Sequence, residues 1–132
     1  MHDGLRALRD AGLRLAVVTG KAQEGADSTV DGAGLRPYIE IALGYTSVPN
    51  PKPAPDLALE AMKRLKLRVG TGLVVGDAVH DIQMAGAAGM RSIAVTYGAQ
   101  PESALHAVKP THIAHTFPDV VRIARTLAIE AA

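Results

Sequence analysis

The stretch LVVGDAVHDIQMAGAAGMRSIAVTY, Leu73 to Tyr97, decides how this chain folds. It opens on the apolar run Leu73-Val74-Val75 and breaks at Gly76-Asp77. A second acid follows at Asp81, then an Ala/Gly-rich helical pattern, then another apolar run, Ser92 to Val95. Short continuous apolar runs fit strands buried on both faces, as in a parallel sheet between two helix layers. Asp77 therefore stands at the carboxyl end of a buried strand, where open α/β sheets take their ligands.

Outward from this stretch the same two periods alternate. Leu5, Leu8 and Leu13 predict a first helix over Asp3 to Asp10, stopped near Gly12. Leu15-Ala16-Val17-Val18 predicts a strand ending at Thr19-Gly20, and Ala22 to Ala33 a helix with Gly34 as its stop. Ile39 to Leu43 reads as a second strand. Pro49-Asn50-Pro51-Lys52-Pro53-Ala54-Pro55 is a loop stiffened by prolines, which fix φ and lack an amide donor. Pro55-Asp56 opens a helix to Leu65 with an apolar stripe at Leu57, Ala61 and Leu65. Leu73 to Val75 is the third strand, Ile82 to Ala88 a helix stopped by Gly89, and Ser92 to Val95 the fourth strand. A short helix over Glu102 to Val108, a weak strand over Thr111 to Ala114 and a helix from Pro118 to about Ile129 complete the pattern. Helices alternating with buried strands predict one α/β domain over residues 1–132: a three-layer, Rossmann-like parallel sheet with helices on both faces.

Composition narrows the function classes. The chain has 132 residues, with 48% hydrophobic but only 3% aromatic, so its core must be built from Ala, Val, Leu and Ile. Fourteen Lys+Arg against 13 Asp+Glu give a formal charge of +1, no basis for binding nucleic acid or an acidic membrane. The absence of cysteine excludes disulfides and thiolate metal sites. No apolar run reaches the length of a membrane span, and MHDGLRALRD does not read as a signal peptide. The expectation is a cytoplasmic protein.

The candidate chemistry lies at the strand ends. Asp77 and Asp81 form a Gly-Asp-x-x-x-Asp pattern whose hard oxygens suit Mg²⁺, a cation that takes one or two carboxylates beside waters and phosphate oxygens. The same residues would also serve as a helix N-cap and a first-turn acid. Thr19-Gly20-Lys21 offers a hydroxyl and free amides at a helix start, an anion site, although Thr before a helix more commonly just caps it. It is not a P-loop, which would need Gly in place of Leu15 and Ser or Thr in place of Ala22. Lys52, on its stiff loop, could meet a phosphate as a point charge; alone it would read as a solvated lysine. Gly86-Ala87-Ala88-Gly89 ends a helix and is no dinucleotide fingerprint. His80 reads as an exposed loop residue, and His112 and His115 as strand residues on diverging faces.

Thr19-Gly20-Lys21, then Lys52-Pro53-Ala54-Pro55-Asp56, then Gly76 to Met90, in that order, resemble the second, third and fourth motifs of the haloacid dehalogenase superfamily, most closely its phosphoglycolate phosphatase-like members. The resemblance covers essentially the whole chain. The spacings, 33 residues from Thr19 to Lys52 and 25 from Lys52 to Asp77, leave room for one helix–strand pair each. It implies a Mg²⁺-dependent phosphatase acting on a small phosphorylated metabolite through a phosphoaspartyl intermediate. It also implies that Thr19 and the Gly20 amide hold phosphoryl oxygens and that Lys52 neutralises charge. Asp77 would bind Mg²⁺, with Asp81 as a ligand or just behind one.

These residues depart from the family at its first motif. They contain no strand ending in Asp-x-Asp-Gly-Thr, which carries the family's nucleophile and general acid/base, and no cap domain. Met1-His2-Asp3-Gly4 resembles only the end of that motif and leads straight into a helix. The core is therefore expected to lack its central strand, which in the family lies between the Thr-bearing and Asp-bearing strands. A truncated phosphatase, inactive or weakly active alone, is the leading expectation. A non-catalytic phosphate- or Mg²⁺-binding module that takes the missing strand from a partner is the alternative. A phospho-receiver domain is set aside, because it places its acids early and its Thr and Lys late. Exposed inner edges should make the chain marginally stable, re-pair the strands across the gap, or drive association.

Overall fold

The computed structural model describes residues 2–131. Helix α1 (His2–Asp10) leads to strand β1 (Ala16–Val18), helix α2 (Gln23–Gly32) and strand β2 (Ile41–Leu43). Helix α3 (Asp56–Leu65), strand β3 (Leu73–Gly76), helix α4 (Val79–Ala88) and strand β4 (Arg91–Val95) follow. Helix α5 (Glu102–Ala107), strand β5 (His112–Ala114) and helix α6 (Phe117–Ala131) complete the chain. The strands form two parallel sheets, β1-β2 and β3-β4-β5.

Alternating strand residues sort the helices into two layers. Val17 and Ala42 pack against Ala26 and Val30 of α2, while Leu73, Ile93, Val95 and Ala114 pack against Val120, Ile123 and Leu127 of α6. On the other face Leu43 and Val74, one from each sheet, share a core with Leu57 and Ala61 of α3 and Met84 and Ala85 of α4. Ile82 of α4 and Leu105 of α5 cover Ala94 on that same face. The first layer also closes across the sheets, because α1 packs on α6: a Cβ at Gly4 would overlap Phe117. The two sheets are thus the two parts of one three-layer body, joined by helices above and below.

Between the sheets, among the described residues, β1 has only β2 as a partner and β3 only β4. Their inner edges flank an open cleft, and Val75 on β3 is 44% exposed. The strands do not re-pair across the gap, one of the outcomes expected from the sequence. Helix packing holds the edges in place instead.

Several boundaries differ from expectation. Helix α4 starts at Val79, three residues before the apolar pattern, because Asp81 on its first turn accepts the Ala78 amide through Oδ2 at 3.2 Å. His80 is consequently helical rather than in a loop, though exposed as expected. Strand β2 loses Ile39 and Glu40, although the Glu40 amide still reaches the Leu15 carbonyl at 2.9 Å. Two 3₁₀ turns, Tyr45–Ser47 and Val69–Thr71, have no counterpart in the periodicity. His112 begins β5 and His115 lies just past it. Met1 lies outside the described residues, and His2, Asp3 and Gly4 are the first turn of α1.

Candidate active site

The carboxyl ends of β1 and β3 open on one cleft of about 410 Å³. Thr19, Lys52, Asp77 and Asp81 all line it, with Val17, Val18 and Val75 as its apolar walls. Gly20 sits at its rim, exposed. The structure thus brings together the residues that the sequence singled out from three separate segments.

The Thr19 loop is pinned to the end of β2. The Thr19 amide donates to the Leu43 carbonyl at 3.0 Å, and Thr19 Oγ1 accepts the Lys21 amide at 3.2 Å. Thr19 is not the cap of α2; that position is Ala22. Gln23, which no sequence pattern singles out, ties the loop down: its Nε2 donates to Ala42 O at 2.7 Å, and its Oε1 accepts the Gly44 amide at 3.0 Å and the Ser47 hydroxyl. Gly44 is required here, since a Cβ would come within 2.5 Å of backbone atoms of Lys21, Ala22 and Gln23.

Lys52 crosses the cleft. Its Nζ donates to Val18 O at 3.1 Å on the β1 side and to Asp81 Oδ1 at 2.6 Å on the α4 side. Both side chains are mostly buried, 16% and 12% exposed. The loop that delivers Lys52 is anchored at its start, where Asp56 Oδ2 accepts the Asn50 amide at 3.1 Å and Asn50 Nδ2 at 3.2 Å. Asp81 fits beneath β3 only because residue 76 is glycine: a Cβ there would overlap the Asp81 carboxylate.

The two acids are therefore not equivalent. Asp81 has one oxygen on Lys52 and the other on the Ala78 amide. Asp77 is exposed and takes no part in any ion pair among the described residues. Nor is it the cap of α4, which is Ala78. Tyr97 and Gly98 stand beside it at the end of β4. Partial burial, and secondarily the Asp77 charge, push the Tyr97 phenol above its usual range. The sequence reading missed Tyr97, Gly98 and Gln100; the only available signal was their position just past an apolar run.

The donor set fits Mg²⁺ rather than a metal held entirely by protein. Among the described residues no three His, Cys, Asp or Glu gather to cage an ion. One free carboxylate on the cleft that Thr19 also lines matches a cation that keeps waters and shares oxygens with a ligand.

The fold, the order of the residues and this cleft define a class of hydrolase cores. The chain belongs to the haloacid dehalogenase-like hydrolase family, whose model matches residues 1–95. It is 41% identical over 125 residues to the "Probable phosphatase IndB" of Dickeya dadantii (strain 3937), covering 95% of this chain and 54% of that protein. It is 39% identical over 98 residues to a phosphoglycolate phosphatase of Nitrosospira multiformis, covering 74% of this chain and 43% of that one. A crystal structure from Lactobacillus delbrueckii subsp. bulgaricus, named a "putative phosphoglycolate phosphatase", superposes with a TM-score of 0.86 at 31% identity over 92% of this chain and 51% of that one. The chain spans about half the length of the curated relatives it matches. No described helix is long and apolar enough to cross a membrane.

Proposed function

We propose that these residues form the phosphate- and cation-binding half of a cytoplasmic phosphatase centre that hydrolyses a small phosphate monoester, as the phosphoglycolate phosphatases among its relatives are named to do. The attacking carboxylate would come from an Asp-x-Asp-Gly-Thr strand outside the 132 residues, seated between β1 and β3. The observation that carries this reading is the convergence of Thr19, Lys52 and Asp77 on one cleft bounded by two strand edges that have no partner among the described residues.

In this reading the Thr19 hydroxyl and the Gly20 amide hold phosphoryl oxygens in the loop that leads into α2. Lys52 presents a fixed positive charge toward nucleophile and phosphoryl group, and Asp81 holds its ammonium in place. Asp77, which takes part in no ion pair among the described residues, would hold Mg²⁺. Bound there, Mg²⁺ would neutralise charge on the phosphoryl oxygens. Positioning and charge do not replace a missing nucleophile, so the 132 residues alone should turn over poorly or not at all.

The test is hydrolysis of 2-phosphoglycolate and p-nitrophenyl phosphate by the purified chain, with and without Mg²⁺ and an added peptide bearing an apolar strand that ends in Asp-x-Asp-Gly-Thr. Turnover that requires both additions, and that Asp77→Asn abolishes, supports the proposal. Turnover by the chain alone contradicts the missing-nucleophile reading. Phosphate binding without turnover when the strand is present would make this a binding module instead.

A further inference from the structure

Helix α4 starts on an alanine. Ala78 has no side-chain acceptor for the free amides of the first turn, a place where Ser, Thr, Asn or Asp usually serves. Two neighbouring amides find acceptors elsewhere. Asp81 Oδ2 takes the Ala78 amide from within the turn. Gln100 Oε1 takes the Val79 amide at 2.7 Å from 21 residues further along the chain. The same segment touches Asp77 directly: a Cβ at Gly98 would overlap the Asp77 side chain, so only glycine leaves that carboxylate its place. The segment from Thr96 to Pro101 thus grips the Asp77-Ala78-Val79 turn at both ends, through Gly98 against Asp77 and Gln100 on Val79.

We infer that Gln100, seconded by Gly98, is a positioning residue for Asp77: it substitutes for the missing cap of α4 and so fixes the turn that aims the cation-binding carboxylate into the cleft. This rests on the reading of Asp77 as the cation ligand. Gln100 acts through the Val79 amide, two residues from Asp77, and touches neither cation nor phosphate. Partners behind a metal ligand commonly govern affinity by about 10- to 100-fold when removed.

The experiment compares the 132-residue chain with Gln100→Ala, Gln100→Glu and Asp77→Asn. Mn²⁺ binding is followed by the electron paramagnetic resonance of the free ion, and the Val79 amide by hydrogen exchange. Gln100→Ala should weaken Mn²⁺ binding about 10-fold and speed Val79 exchange, while leaving core amides protected. Gln100→Glu keeps an acceptor oxygen at the same reach and should recover slow Val79 exchange and most of the affinity. Val79 exchange unchanged in Gln100→Ala overturns the inference, because the cap is then absent. So does faster exchange with unchanged Mn²⁺ affinity, provided Asp77→Asn does weaken binding. Should Asp77→Asn bind Mn²⁺ like the parent, the cation reading of Asp77 fails, and the role assigned to Gln100 falls with it.

Discussion

Replacing Lys52 by methionine keeps the length and apolar stem of the side chain and removes its ammonium. Asp81 then loses its counter-ion and retains only the Ala78 amide, and the Val18 carbonyl loses its donor. Stripping one member from a fully buried ion pair costs about 3–5 kcal/mol. Here the side chains are 16% and 12% exposed on an open cleft, and water relieves part of the penalty. A loss of about 2–3 kcal/mol is the expectation, somewhat below the fully buried range. With an unfolding entropy of ~2.1 cal/mol/K per residue, that lowers Tm by roughly 7–11 °C for a chain of this length. Asp81→Asn should cost less, about 1–2 kcal/mol, since its amide oxygen still accepts from Ala78 and Lys52 still reaches Val18 and solvent. Thermal and urea unfolding of both single variants and the double variant close a mutant cycle, with an expected coupling of about 1.5–2 kcal/mol. The coupling should also survive high salt, because the pair is shielded from it. A coupling below about 0.5 kcal/mol would refute the claim that this pair locks the two halves of the cleft together.

Gly44→Ala should destabilise the chain by about 1–3 kcal/mol, because the new methyl meets backbone rather than a yielding side chain; urea midpoints at unchanged m-value check this. A phenolate absorbance titration should place Tyr97 above the ordinary phenol range, and Asp77→Asn should bring it only partway back, since burial is the larger cause. Because folding favours its neutral form, Tyr97 contributes stability below the ordinary phenol range and loses it as pH rises through its raised value. The open edges of β1 and β3 should make the chain self-associate in sedimentation velocity, and Val75→Lys should suppress this by placing a charge on the β3 edge; a monomeric parent would contradict that.

Much of the fold was legible because burial on both faces writes continuous apolar runs. Leu73 to Val75 and Ser92 to Val95 were placed almost to the residue, and Gly89 ends α4 at φ +76° as its position suggested. The start of α4 was not legible, since nothing in Ala78-Val79-His80 signals a helix until Asp81 folds back on Ala78. Among the candidate site residues, Thr19, Lys52, Asp77 and Asp81 could be picked out by type and order. Their division of labour could not, because the identity of Lys52's partner depends on a loop and a helix start meeting in space. Gln23, Gly98 and Gln100 act through backbone amides and through room left for a neighbour, and such roles leave no periodic trace in a sequence.

The claim that most needs testing is that Thr19, Lys52 and Asp77 form one site for phosphate and a divalent cation. Amide and lysine-ammonium NMR of the chain, titrated with inorganic phosphate in the presence of Mg²⁺, tests it directly. Saturable shifts should appear together at Thr19, Gly20 and Lys21, at the Lys52 ammonium and at Asp77 to Val79. They should vanish in Lys52→Met, and the shifts at Asp77 should vanish when Mg²⁺ is left out. Phosphate that shifts none of these groups, or that shifts them identically in Lys52→Met, would contradict the account.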